Sequence, residues 1–256
     1  MPNINDFPVA AFASIAAVFV LAGMVKGVVG LGLPTIAMGL LALFMPSAQA
    51  AALLIVPSLV TNVWQIRPWL ASVPLWRALG PMQAGVVVGT LGMAAGMGAP
   101  AGTWPRIGLG VALLAYAAWG LSGAKFTISA GHRVWAGPAI GVLTGMTTAA
   151  TGVFVIPAVP YLQALDLKRD ALIQALGISF TVSTIALAIG LNMNGEYAVA
   201  DAGASLLMLL PALIGMAIGQ GIRGRLSQTL FKRCFFASLS LLGLHMVLRE
   251  VMAAAG

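Results

Sequence analysis

Charge is what this chain has least of. Only 7% of its 256 residues are charged, where a soluble chain carries about a quarter. Hydrophobic residues make up 60%, and the mean hydropathy is +1.01. That leaves too little polar surface to cover a water-facing globule, which excludes a soluble domain. The single cysteine, Cys234, excludes an internal disulfide and a cysteine metal cluster. The two histidines, His132 and His245, are far apart, and there is no H-E-x-x-H or paired-aspartate signature. An intramembrane enzyme would need a nucleophile–base pair or metal ligands, so no catalytic role and no cofactor are expected. The six acids (Asp6, Asp166, Asp170, Glu196, Asp201 and Glu250) all fall at the edges of apolar runs. A metal-ion permease would need such ligands inside its pathway. No Lys or Arg precedes the first apolar run in MPNINDFPVAAFAS. That run therefore reads as a retained span, not a signal peptide.

What the chain does have is apolar runs, at roughly 8–44, 48–66, 79–99, 106–122, 134–165, 171–191, 202–221 and 234–248. A span needs about 20 residues. As one helix, residues 8–44 would measure about 55 Å against a hydrocarbon core of about 30 Å. Both long runs carry breakers: Lys26, Gly27, Gly30, Gly32 and Pro34 in the first, and Thr147, Thr148, Thr151, Gly152 and Pro157 in the second. If each long run crosses twice, there are ten spans and the thirteen basic residues divide 11 to 2, with Arg106 and Arg249 alone on the minority side. If each crosses once, Lys26 is left inside the membrane and the rest divide 7 to 5. Cytoplasmic loops are enriched in Lys and Arg. Ten spans are expected, therefore, with a tight cytoplasmic turn at Lys26 and both termini outside. Trp64, Trp69, Trp76, Trp119 and Trp135 fall at the basic face and Trp104 at the other, as interfacial belts require. The basic residues are scattered one or two at a time, which does not make a nucleic-acid patch.

The two halves resemble each other. Pro81, Gly85 and Gly89 make P-x3-G-x3-G, and Pro211, Gly215 and Gly219 repeat it. Gly23 and Gly27 in GMVKG match Gly141 and Gly145 in GVLTG. AAALLIVPSLVTN matches ALIQALGISFTVS, setting Ser58 opposite Ser179 and Asn62 opposite Ser183. The polar stretch 123–133 divides a first repeat, residues 1–124, from a second, residues 132–256. With five segments in each, the repeats are inverted. The fold expected is an all-α polytopic membrane protein of about ten segments, a broken helix opening each repeat. Inverted repeats characterise secondary transporters, with the substrate near the midplane.

The segments MVKGVVGLGLPTIAMGLLALFMPSAQAAALLIVPSLVTNVWQ and IGVLTGMTTAATGVFVIPAVPYLQALDLKRDALIQALGISFTVST resemble the sulfite exporter TauE/SafE family, also called the toluenesulfonate uptake permease family. The likeness covers nearly the whole chain. It departs where many members have a denser glycine run and this chain reads Gly32-Leu33-Pro34. The resemblance implies a membrane transporter of small sulfur-containing anions such as sulfite, sulfoacetate or other sulfonates, usually outward. Its expected partners are the anion and the bilayer, with a homodimer allowed for and no nucleic acid.

A break at membrane depth frees backbone groups that protein, water or substrate must satisfy. Amides at a half-helix N-terminus favour an anion. The substrate-binding residues expected are thus Lys26, Gly27, Gly30 and Gly32 of the first break, Thr147, Thr148, Thr151 and Gly152 of the second, and Ser58, Asn62, Ser179 and Ser183 on the spans that follow. Against this stand ordinary roles: glycines that let helices approach, serines that bond between helices, and a lysine at a cytoplasmic turn. With no acid in the membrane for a proton relay, export driven by the membrane potential is expected. The alternatives are a permease for another small anion or a metal ion, and an assembly subunit that transports nothing.

Overall fold

A computed structural model describes residues 9–98, 100, 102–124 and 126–255. Asp6 and Lys125, which enter the charge pattern above, lie outside the described residues, as do the two chain ends. All the described elements are helical: α1 (Val9–Val29), α2 (Leu33–Leu41), α3 (Ser47–Gln65), a 3-10 turn (Trp69–Ser72), α4 (Val73–Met97), α5 (Thr103–Ser122), α6 (Ala130–Thr151), α7 (Ala158–Ala164), α8 (Arg169–Met193), α9 (Val199–Ile222) and α10 (Gln228–Ala255). Six stretches are long and apolar enough to cross a membrane: Ala11–Val29, Ser47–Gln65, Trp69–Met97, Arg169–Met193, Asp201–Ile222 and Thr229–Ala253.

Both long apolar runs do break, but not into two full helices each. The first gives α1 and the nine-residue α2, and the second gives α6 and the seven-residue α7. At 1.5 Å per residue these short helices are about 13 and 10 Å long, well under the core thickness. Irregular backbone makes up the rest of each return. The first break comes at Gly30 and Gly32, with φ of 80° and 111°, and the second at Gly152, with φ of 72°. These are values that β-carbons disfavour. α1 runs on through Lys26 to Val29, so the turn expected at Lys26 falls four residues later.

The glycines set the helix pairing. α1 packs on α9, α4 on α6, α5 on α10 and α3 on α8, with α3 also against α9 and α4 against α8. A β-carbon on Gly23 would lie 2.1 Å from the Ala212 carbonyl oxygen, and one on Gly219 2.1 Å from that of Met24. One on Gly141 would lie 2.1 Å from the Met82 oxygen, and one on Gly89 2.2 Å from that of Val142. Each P-x3-G-x3-G motif thus lies backbone to backbone against the glycine pair at the opening of the other half, the close approach that small residues permit. Rising numbers on one helix meet rising numbers on the other, so both pairs run parallel. α5 and α10 run antiparallel, Gly110 meeting Gly243 and Gly120 meeting Phe236. α3 and α8 are also antiparallel, the end of α3 meeting the start of α8 where Gly177 touches Asn62.

Pro57, inside α3, cannot donate to the Leu53 carbonyl. Ser205 of α9 does so instead, its hydroxyl bonding Leu53 O at 2.8 Å while it accepts from the Val56 amide at 2.9 Å. At the far end, Arg106 and Glu250 form an ion pair at 3.2 Å, and Arg249 donates to Leu43 O at 3.1 Å. The two minority-side arginines are therefore on the same end of the molecule.

Candidate substrate site

The basic side chain expected at a loop is buried. Lys26 is 5% exposed, and its Nζ donates to Thr61 Oγ1 at 2.9 Å and to Asn62 Oδ1. This joins the end of α1 to the end of α3, which shows that these two helices run in the same direction. α2 and the chain after it therefore return the length between them. Gln65 reinforces the same end, its amide donating to Gly30 O at 3.3 Å and Ile173 O at 3.2 Å. Gln174 donates to Ile66 O at 3.1 Å and Pro68 O at 3.3 Å. Two amides thus lace α1, α3 and α8 together near Arg67, whose guanidinium lies 3.8 Å above the Trp64 ring.

Ser58, Asn62, Ser179 and Ser183 are all fully buried. The hydroxyls of the three serines and the Nδ2 of Asn62 have no hydrogen-bond partner in the protein. Buried polar atoms are rarely left so. Three residues not singled out from sequence share this state: the hydroxyl of Ser47 at the start of α3, Gln83, through both amide atoms, and the hydroxyl of Thr90. The last two lie together on α4. Their signal was present, since a glutamine and a threonine seven apart on an apolar helix share one face.

Periodicity places these groups. Gly190 packs on the Ala94 side chain, and Asn194 reaches Ala94 O at 3.1 Å. α4 and α8 run parallel, because the start of α8 also meets Pro68, just before α4. Seven and eleven residues before Gly190, on the same face, are Ser183 and Ser179. Four and eleven before Ala94 are Thr90 and Gln83. The α4–α8 seam therefore holds a file of buried polar groups, Gln83 at the height of Ser179. Across the α3–α8 contact lie Lys26, Thr61, Asn62 and Ser58.

The breaks themselves offer less than their composition promises. From sequence, Thr147, Thr148 and Thr151 are donors to an anion. In the structure their hydroxyl protons go to the carbonyls of Leu143, Thr144 and Thr147, at 2.9, 2.7 and 2.7 Å. The Thr151 oxygen also caps the Val153 amide at 3.2 Å. Gly27 lies in the seam between α1 and α9, where a β-carbon would be 2.3 Å from Met216 O. The amides of Gly30 and Gly152 bond Lys26 O and Thr148 O. Gly32 caps α2 in the left-handed conformation, and its carbonyl accepts from Thr35.

The sulfite exporter TauE/SafE family model matches residues 15–246. The chain belongs to that family. The match takes in all of the buried polar groups of the candidate site. Comparison with curated proteins and with solved structures returns no match. Family and fold together make this sulfite exporter homologue a multi-pass membrane protein of an exporter-type transporter family.

Proposed function

We propose that this protein exports small sulfur-containing anions, sulfite or organosulfonates such as sulfoacetate, down the membrane potential. The observation that carries the reading is the set of buried polar atoms without protein partners on α3, α4 and α8. In a bilayer an unsatisfied polar group costs several kcal/mol. Such a row in a transporter-family chain is best explained by a ligand or water that passes along it. An anion shedding its hydration needs several donors at once. Lys26 and Asn62, Ser58, Ser179 and Ser183 supply them at membrane depth, Gln83 adds an amide, and Thr148, Thr151 and the glycines frame the breaks. Exit from an inside-negative cell is favourable by about 2.3 kcal/mol per charge per 100 mV, so no carboxylate proton relay is needed.

The architecture proposed is two inverted repeats of five segments, α1–α5 and α6–α10. Two features support it. Helix contacts exchange between halves: α1 on α9 mirrors α6 on α4, and α3 on α9 mirrors α8 on α4. Helix directions also alternate as ten passes require, α1 running with α3 and α9, and α4 with α6 and α8. The basic end is proposed to face the cytoplasm, with both termini outside. The test is counterflow in proteoliposomes against a panel of sulfite, sulfate, sulfonates and carboxylates. Accelerated exchange of sulfite or a sulfonate is expected. Exchange of none of these anions would refute transport, and exchange of carboxylates alone would refute the substrate class.

A further inference from the structure

The file of polar groups on the α4–α8 seam leads somewhere. Beyond Thr90, at the end of the molecule that carries Arg106, a cleft opens between α4, α6 and α8. Thr90, Ala94, Ala149, Leu187, Gly190 and Asn194 line it, a shallow cleft with enclosed room for about one water. Thr90 is fully buried in this wall, its hydroxyl unpartnered. Asn194 stands at the rim, its amide tying the ends of the two helices through Ala94 O and Gly190 O at 3.1 and 2.9 Å. Leu187, 2% exposed, is one helical turn from Ser183, so a single turn of α8 separates the cleft from the nearest buried serine.

We infer that this cleft is the outer mouth through which the anion leaves, and that Thr90 is a transit donor between it and Ser183, an inference resting on the transporter reading above. Four things meet here. The cleft is open at the end opposite the Gln65 and Gln174 lacing. Its wall carries a donor that nothing in the protein uses. The seam beneath continues as Ser183, then Gln83 and Ser179, at steps of one to two helical turns. Gly190 lets α4 and α8 close on each other at the cleft, because a β-carbon there would come within 3.1 Å of the Ala94 side chain. Among the described residues, the lining has no basic side chain. A small oxoanion would be held there by neutral hydroxyl and amide donors and released readily, as an exit requires. Leu187 is the barrier that must move for the serines to meet the cleft.

The test uses the full-length protein with its exposed Cys234 changed to Ser. Ala149→Cys places a thiol in the cleft wall. An impermeant anionic methanethiosulfonate added outside should modify it and reduce sulfite or sulfonate flux at least tenfold. Val88→Cys, on the outward face of α4 and 65% exposed, should resist the charged reagent and keep its flux. Leu187→Cys, on the opposite wall, gives the same reading should Ala149→Cys fail to insert. If the parent carries flux, then a thiol in the cleft that stays unmodified from outside overturns the mouth. Flux within twofold of the unmodified variant after complete modification overturns it too. A parent that moves no anion of the panel overturns transport itself, and the route with it.

Discussion

Ser179 and Ser183 invite a perturbation in which stability and function move in opposite directions. Each hydroxyl is fully buried and has no partner in the protein. A buried donor left unsatisfied costs about 1–3 kcal/mol. Ser179→Ala or Ser183→Ala deletes that cost and leaves only a small void, so unfolding in detergent should shift toward greater stability by up to that amount. The same change removes one hydrogen bond to a bound anion. Bonds to charged groups are worth about 1.5–3 kcal/mol, which at 1.4 kcal/mol per tenfold raises the half-saturating concentration about ten- to 150-fold. Thr148→Val is the contrast. The Thr148 proton is already given to Thr144 O, so half-saturation should stay within about twofold. The assay is counterflow at graded anion concentrations beside a denaturation curve for each variant. A serine variant that gains stability and transports like the parent would refute the reasoning, since the hydroxyl would then be an unused defect in packing. Loss of both properties would refute it in the other direction, by making the serine structural.

Three further outcomes are expected. Lys26→Met strips the Nζ from Thr61 and Asn62, so stability should fall by about 1–3 kcal/mol and flux should fall with it, read by detergent unfolding and counterflow; a loop lysine would show neither. Ser205→Ala leaves Leu53 O without a donor and should cost about 1–2 kcal/mol, but much less beside Pro57→Ala, where residue 57 again supplies an N–H to Leu53; a double-mutant cycle measures the difference. Cysteines at Arg67 and Lys168 should label only from the cytoplasm and one at Arg106 only from outside; the reverse pattern would overturn the proposed orientation.

Much of this fold was legible because a bilayer permits few solutions. Sparse charge and long apolar runs gave a helical membrane protein. The breakers at Gly30, Gly32 and Gly152 fall where the helices end, because only glycine reaches those backbone angles cheaply. The matched glycine motifs pointed to close helix contacts but not to their partners, since a sequence shows that a helix has a small-residue stripe and not which helix meets it. The candidate site was legible in part. Ser58, Asn62, Ser179 and Ser183 stood out as polar residues on apolar spans, and all four are buried. What a sequence does not show is where each proton goes. The threonines at the second break looked like free donors, yet a threonine hydroxyl in a helix reaches the carbonyl one turn back. Lys26 looked like a loop residue because charge is normally excluded from the core, and only the end of α3, folded beside it, supplies the oxygens that let it enter. Gln83 was hidden by its setting within a glycine motif that reads as packing.

The glycine seams carry a mechanical consequence. α1 is welded to α9 and α6 to α4, since a β-carbon on any of the facing glycines would lie 2.0 to 2.4 Å from a carbonyl oxygen of the partner helix, and each weld joins an opening helix of one half to the fourth helix of the other. The halves are interlaced like clasped hands, so neither can swing as a block without tearing both seams. The units of packing are therefore the two welded pairs, each made of chain from both halves. The less tightly sealed interfaces are those of α3 and α8 against these pairs, bridged by side chains and not by backbone contact, and that is where the orphaned polar atoms lie.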